Sequence, residues 1–337
     1  MQTRQLITST LLAVATIPLL AAGPYTQVAD IPVGGAAGFD YLLADGPSKR
    51  LYVSHGTEVV VIDTEKNIVA GRITDTPGVH GIAIAPEFGR GFTTNGRENK
   101  VGIFDLKTLQ TISKVETGVN PDAIMYEPTQ KQVWSFNHTG KSVTVIDAKT
   151  GAVVANTPLS GVVEAGQADA SIGKVFINIE DTSSVDVVDM KTYKVVATYK
   201  VAPAEEPTGM AVDAANHHLF VGGGPNLVMM DTRTGKVLAS APICSGTDAT
   251  YYEASTKTAF VSCRDGHVTM VAVSGDTLKV SATFATTPNA RTMALDTDTH
   301  RVYVAGAKYL PVDPKTPNAR AQAVPDSFHV LAFAPGK

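Results

Sequence analysis

The chain has 337 residues, 44% of them hydrophobic, and 28 basic against 32 acidic side chains leave a net charge of −4. That near-balance, with no basic run, excludes the electrostatic footprint of a nucleic-acid-binding surface. Length alone allows one large β or α/β domain or two smaller ones, and no linker or low-complexity segment divides the middle, which leaves one.

The first 22 residues precede any fold argument. Arg4 gives a positive start, "LITSTLLAVATIPLL" is an uncharged apolar run, and "LAA" ending at Ala22 offers a small residue for signal peptidase. The run is short and no second apolar span follows, so it reads as a secretory signal rather than an anchor. The expected mature chain starts near Gly23, with no membrane span and no cysteine placed for lipid attachment, as a periplasmic or secreted protein.

From there the chain is written in short β runs. "TQVADIPV" at 26–33 is a strand without a neighbour in sequence. "LYVSHGTEVVVIDTEKNIVAGRI" at 51–73 reads as three strands and two turns, and nearly the same wording returns at 91–116, 133–159, 175–201 and 219–243. One aromatic marks each unit: Tyr52, Phe92, Trp134, Phe176, Phe220, Phe260 and Tyr303, at spacings of 40, 42, 42, 44, 40 and 43. Asp63, Asp105, Asp147, Asp189 and Asp231 end runs such as "VVVID" every 42 residues. Runs of Val, Ile, Phe and Tyr broken by Gly, Asp, Asn and Lys are β signals, and the third unit divides into "DAIMYE", "QVWSFN", "SVTVID" and "AVVANTPL".

A four-stranded unit of roughly 40 residues repeated seven times predicts an all-β fold, a seven-bladed β-propeller of four-stranded antiparallel blades. The last unit runs out after "TMALDT", "RVYVAG" and "SFHVLAFA", and the 26–33 strand supplies its outer strand and closes the ring. The expected layout is 1–22 as signal and 23–337 as a single propeller domain. Cys244 and Cys263, the only cysteines, read as a structural disulfide pinning the start of the sixth unit, worth about 3 kcal/mol by loop entropy. No C-x-x-C or C-x-x-C-H occurs, which excludes thioredoxin chemistry and covalent haem.

The pattern Y-V-x-[NH], then V-x-V-I-D-x-x-T/K-x-x-V and G-x-x-P, resembles the YVTN-repeat (YncE-like) family of exported bacterial propellers over nearly all of the mature chain. Tyr52, Val53, Phe92, Asn95, Val145, Ile146 and Asp147 stand where that family places them. The resemblance implies fold and export; the family has few assigned activities. Units five to seven depart from it, with "LFVGG", "AFVSC" and "VYVAG" lacking the asparagine and "VAVSG" in unit six lacking the aspartate.

Repeated residues are first of all structural. The five spaced aspartates open turns such as "DAKTG", where an Asx carboxylate accepts backbone N–H groups, and Asn95 and Asn137 are assigned a similar turn role. Twelve residues before each aromatic lie Asp40, His80, Asp122, Glu164, Thr208, Asp248 and Arg291, all polar. The next position reads Tyr41, Gly81, Ala123, Ala165, Gly209, Ala249 and Thr292, mostly small, as crowding near an axis requires. This is the rim of the central channel. Asp40, His80, Asp122 and Glu164 come from adjacent units and suit a divalent cation, calcium by their oxygens or a transition metal by the imidazole. A wet channel mouth lined for solvent would use the same residues.

The loop between second and third strands brings His55, His138, Glu180, Asp181, Arg264 and Asp265 to the same face. His55, Asp248, Arg291, Lys308 and Tyr309 are the candidate ligand contacts. The last two belong to the irregular stretch 307–326, which also carries Lys315 and Arg320 and reads equally as a cover over the funnel or as disorder rich in Pro and Ala. His217, His218 and His300 fall in first-to-second-strand turns on the opposite face and read as solvated. No nucleophile elbow, zinc-binding helix or phosphate loop occurs. The leading expectation is therefore a monomeric binding module for a small polar ligand or another exported protein. The alternative is a metal-assisted hydrolase of the lactonase kind. A redox role would need a partner's cofactor.

Overall fold

The structure, a computed structural model, describes residues 25–35, 38–310 and 322–336. Turn chemistry sets the strand boundaries. In each blade the residue three before the marker aromatic adopts positive φ: Lys49, Gly89, Lys131, Gly173, His217, Lys257 and His300, at 52° to 64°. That left-handed residue ends the first turn and launches the second strand. The second repeated turn follows the spaced aspartates. Asp63 Oδ1 accepts the N–H groups of Glu65 and Lys66 at 3.0 and 2.9 Å, and Asp105, Asp189 and Asp231 repeat the pattern. Four residues on, Asn67, Leu109, Gly151, Tyr193 and Gly235 take positive φ. The Asx turn assigned from sequence is what the strands use.

Between these turns the chain makes seven four-stranded antiparallel sheets. In the third, Pro121–Glu127 lies innermost, followed by Gln132–Asn137, Ser142–Asp147 and Val153–Pro158. Each blade has two apolar faces, so it is stable only between neighbours. The seven marker aromatics are all at most 1% exposed. Trp134 packs with Val175, Ile177 and Val188 of the next blade, and Tyr52 with Phe104 of its own neighbour. Burying each such ring stabilises by about 1.5–3 kcal/mol.

Ring closure follows the expected route. Tyr25–Pro32 pairs antiparallel with His329–Pro335 and forms the outer strand of the seventh blade, with Ile31 opposite Val330. Tyr25 stacks on Phe284 of the sixth blade, centroids 5.3 Å apart. Cys244 and Cys263 form the disulfide. Among the described residues no helix is long and apolar enough to cross a membrane. The secretory signal lies outside the described residues.

Asn95 and Asn137 do not take the Asx role of the spaced aspartates. Each ends a second strand, fully buried, and bridges side chains: Asn95 accepts from Thr93 and donates to Glu98, and Asn137 donates to Ser142 and Thr144. An amide fits there because it can give and take hydrogen bonds where water cannot reach.

Candidate functional site: a charged ring at the channel mouth

The inner strands do not pair evenly with their neighbours. Register breaks between Val79 and Ile82, Pro121 and Ile124, and Val163 and Gly166, each passing over two residues, and single residues are passed over at Thr208 and Asp248. His80, Asp122 and Glu164 are among those passed over, so a repeated bulge frees the rim side chains from the sheet and turns them to the axis. Hydroxyls from the second strands latch it. Ser54 Oγ accepts the Asp40 N–H at 2.7 Å, and Thr94 Oγ1 accepts the Gly81 N–H at 2.7 Å while donating to the Asp122 carbonyl.

Six of the seven counted residues then enter charged contacts at the mouth. Asp40 Oδ2 is 2.7 Å from His80 Nδ1, and Asp40 Oδ1 is 3.2 Å from Arg291 Nη2. His80 Nδ1 also lies 3.2 Å from Asp122 Oδ1, and Arg291 Nε is 2.7 Å from Asp248 Oδ2. Glu164 Oε1 is 3.2 Å from His138 Nδ1, whose ring is held by the Val163 carbonyl at 2.8 Å. Thr208 stands outside this network and donates to the Thr247 carbonyl. At the mouth, the ligand atoms of Asp40, His80 and Asp122 lie within 4.8 Å of one another, and so do those of Asp122, His138 and Glu164.

Four carboxylates face one guanidinium here, and the acidities respond. Burial pushes the Asp248 carboxyl up to about 7; Arg291 opposes the shift and the charges of Asp40 and Glu164 add to it. Burial also raises Asp122, with Asp40 and Glu164 adding to it and the two imidazoles opposing. The hydrogen bond to Glu164 raises His138 against its own burial. For His80 burial works against the charged form, but the Asp40 hydrogen bond and the Asp122 charge outweigh it. A single Nδ1 proton serves one acceptor, and the nearer is Asp40. Asp122 Oδ1 is consequently buried without a hydrogen-bond partner, on a side chain 13% exposed.

Tyr41 closes the ring from below. It is the one large side chain in a row of Gly, Ala and Thr, and it packs against the apolar cluster of blades three and four. Burial raises its phenol well above the usual range, and Asp122, Glu164, Asp40 and Asp248 all add to the shift. A cavity of about 500 Å³ adjoins it, with Leu43, Ile84, Ile124, Met125 and Tyr251 in its wall and Asp248 among its lining residues. The site is a polar mouth on an apolar channel.

The remaining candidates distribute unevenly. Burial raises the Tyr309 phenol and Arg291 lowers it, which puts Tyr309 near the ring; its backbone bridges Ala323. His55 stacks on Phe328 at 4.5 Å and meets Glu58 at 3.3 Å. Lys308 is exposed, and its backbone engages Ser327. Lys315 and Arg320 lie outside the described residues. Asp181 pairs with Lys141, and Asp265 with His267 beside the disulfide.

The three histidines of the opposite face are not simply solvated. His218 begins a second strand, 7% exposed, with Nε2 3.2 Å from Asp276. His300 Nδ1 is 2.6 Å from the buried Glu253, and His217 is 3.8 Å from Asp169. The acids of His217 and His300 belong to a row that counting had passed by: Asp45, Glu127, Asp169, Asp213, Glu253 and Asp296, seven before each aromatic except at Ala85. These carboxylates cap the first turns, as Glu127 does with the N–H groups of Thr129 and Gln130.

Solved propeller structures superpose on the chain. One described as hydrazine synthase from Kuenenia stuttgartiensis aligns at 16% identity and a TM-score of 0.69, covering 83% of this chain and 96% of its own. One described as a mitotic checkpoint complex aligns at 13% identity and a TM-score of 0.77, covering 100% and 99%. At these identities the likeness shows the fold alone. No protein-family model and no curated protein matches.

Proposed function

We propose that the protein is an exported binding module of the YVTN-repeat kind that takes a small polar ligand at the funnel face, with a divalent cation as the occupant of the charged ring. Asp122 carries this reading: a buried carboxylate oxygen without a hydrogen-bond donor, between two imidazoles and two further acids. Without a cation, burial and mutual repulsion leave such acids to take up protons instead. The donor set supports a hard ion through its carboxylates and a transition metal through its imidazoles. The disulfide and the sequence of residues 1–22 support export, and propellers in general suit ligand or protein binding.

A metal-assisted hydrolase of the lactonase kind is the second reading. His80 and His138 remain partly exposed, so an ion beside them keeps positions open to water, which it would acidify.

The deciding measurement is metal content of the purified mature protein after incubation with calcium, manganese and zinc, by elemental mass spectrometry. Stoichiometric metal is expected in the wild type and a loss in Asp122→Ala, with Glu164→Ala also reduced and both variants keeping a β-type circular dichroism spectrum. Wild-type protein that binds none of the three ions would sink the cation reading. Product release from a lactone panel, abolished by Asp122→Ala, would favour the hydrolase.

A further inference from the structure

We propose that the ring is a two-ion centre in which Asp122 bridges two divalent cations, one held with Asp40 and His80 and the other with His138 and Glu164. The inference rests on the cation reading above and specifies its stoichiometry and ligands, including His138.

The spacing of the ligand atoms is the first argument. Around an ion with bonds of about 2.1 Å, two ligands at right angles stand about 3 Å apart. His80 Nδ1 lies 2.7 Å from Asp40 Oδ2 and 3.2 Å from Asp122 Oδ1, and one ligand atom each of Asp122, His138 and Glu164 lie within 4.8 Å of one another. The second argument is that one ion does not serve all five residues. No set of mutually close ligand atoms contains both His80 and His138, and the two sets share Asp122 alone. A carboxylate has two oxygens and can present one to each of two ions about 3.5–4 Å apart.

Charge is the third. Arg291 is matched by Asp248 at 2.7 Å, which leaves Asp40, Asp122 and Glu164 to be balanced. One dication leaves a negative charge over; two cover all three acids and have positive charge left for an anionic ligand oxygen. The surroundings are also built for orientation. Arg291 fixes Asp40 through its other oxygen. Such outer contacts hold metal ligands in place.

The test is a manganese titration of chelator-stripped mature protein, with free Mn²⁺ followed by electron paramagnetic resonance. The wild type is expected to take up two Mn²⁺ per chain and to give an exchange-coupled signal at saturation. Glu164→Gln and His138→Gln should each retain one Mn²⁺ with no coupling, and Asp122→Asn should lose the coupling. Because both single-site variants keep the Asp40–His80 half, uptake of one Mn²⁺ also certifies that they are folded. One Mn²⁺ per wild-type chain overturns the two-ion centre while leaving the cation reading in place. No uptake at all overturns both.

Discussion

Asp248 illustrates what the ring asks of one side chain. Its carboxyl titrates near 7 because burial outweighs the attraction of Arg291. The unfolded value is about 3.9, so between about pH 4 and 7 the folded state holds the proton that the unfolded state has lost. Stability of the metal-free protein therefore rises as pH falls through that window, by up to about 4 kcal/mol for this group. Urea unfolding in chelator should give a higher midpoint at pH 5 than at pH 8. Asp248→Asn should flatten the difference without removing it, since Asp122 shifts in the same direction. An equal slope in wild type and variant would show that Asp248 is ionised throughout. Counting from the aromatics found this residue because the turn between them has a nearly constant length. His138 escaped the metal set because it comes from the second-to-third-strand loop, which follows a different rule in each blade. The pair at 217 and 218 was misread for a related reason: His217 takes the left-handed position, so His218 starts a strand and faces inward.

At the scale of the element, the turns carry more information than the strands. The apolar runs announced where strands lie, but the aspartate at the end of the third strand decides how each returns. Where it is missing the element changes: in the sixth blade the third strand runs on through His267–Ser274, Gly275 turns at φ 53°, and the outer strand extends over Thr277–Ala285. The carboxylates of the other turns are held below their usual range. Asp231 falls to about 2, chiefly through Arg233, and Asp189 lies well down through Lys174 and Thr192. A lowered acid contributes stability that is complete above its unfolded value of about 3.9 and is lost as pH falls toward the folded value. The expected loss for Asp231 thus lies between about pH 4 and 2, opposite in sign to the effect of Asp248 and lower in pH. Asp231→Asn keeps the Oδ1 acceptor but not the charge. Acid unfolding followed by tryptophan fluorescence should show a shallower fall for this variant between pH 4 and 2, with little change at pH 7. A fall as steep as wild type would assign the acid sensitivity elsewhere. The row of caps at the first turns went unread for the opposite reason: Asp, Glu and one Ala vary at that position, so only a count from the aromatics reveals it.

For the whole molecule the decisive contact joins the two ends of the chain. Seven blades in a ring have no free edge between sheets only while the Tyr25–Pro32 strand completes the last one. This was legible before any coordinates, because the final unit is one strand short and the chain begins with a strand to spare. Which side chain holds the closure was not legible, since the strand alternates without a marker of its own. The structure places Ile31 at 0% exposure among Val330, Ala332 and Tyr303, while Val28, three residues earlier, is 51% exposed. Ile31→Ala removes buried methyl groups from a joint that every blade depends on, and should cost about 2–5 kcal/mol. Val28→Ala should stay within about 0.5 kcal/mol of wild type. Chemical unfolding of the two variants separates the outcomes: a large shift for Ile31→Ala alone means that the ring is clasped through this strand. Equal, small shifts would mean that the six complete blades stand without it, and that closure is a consequence of the fold rather than one of its supports.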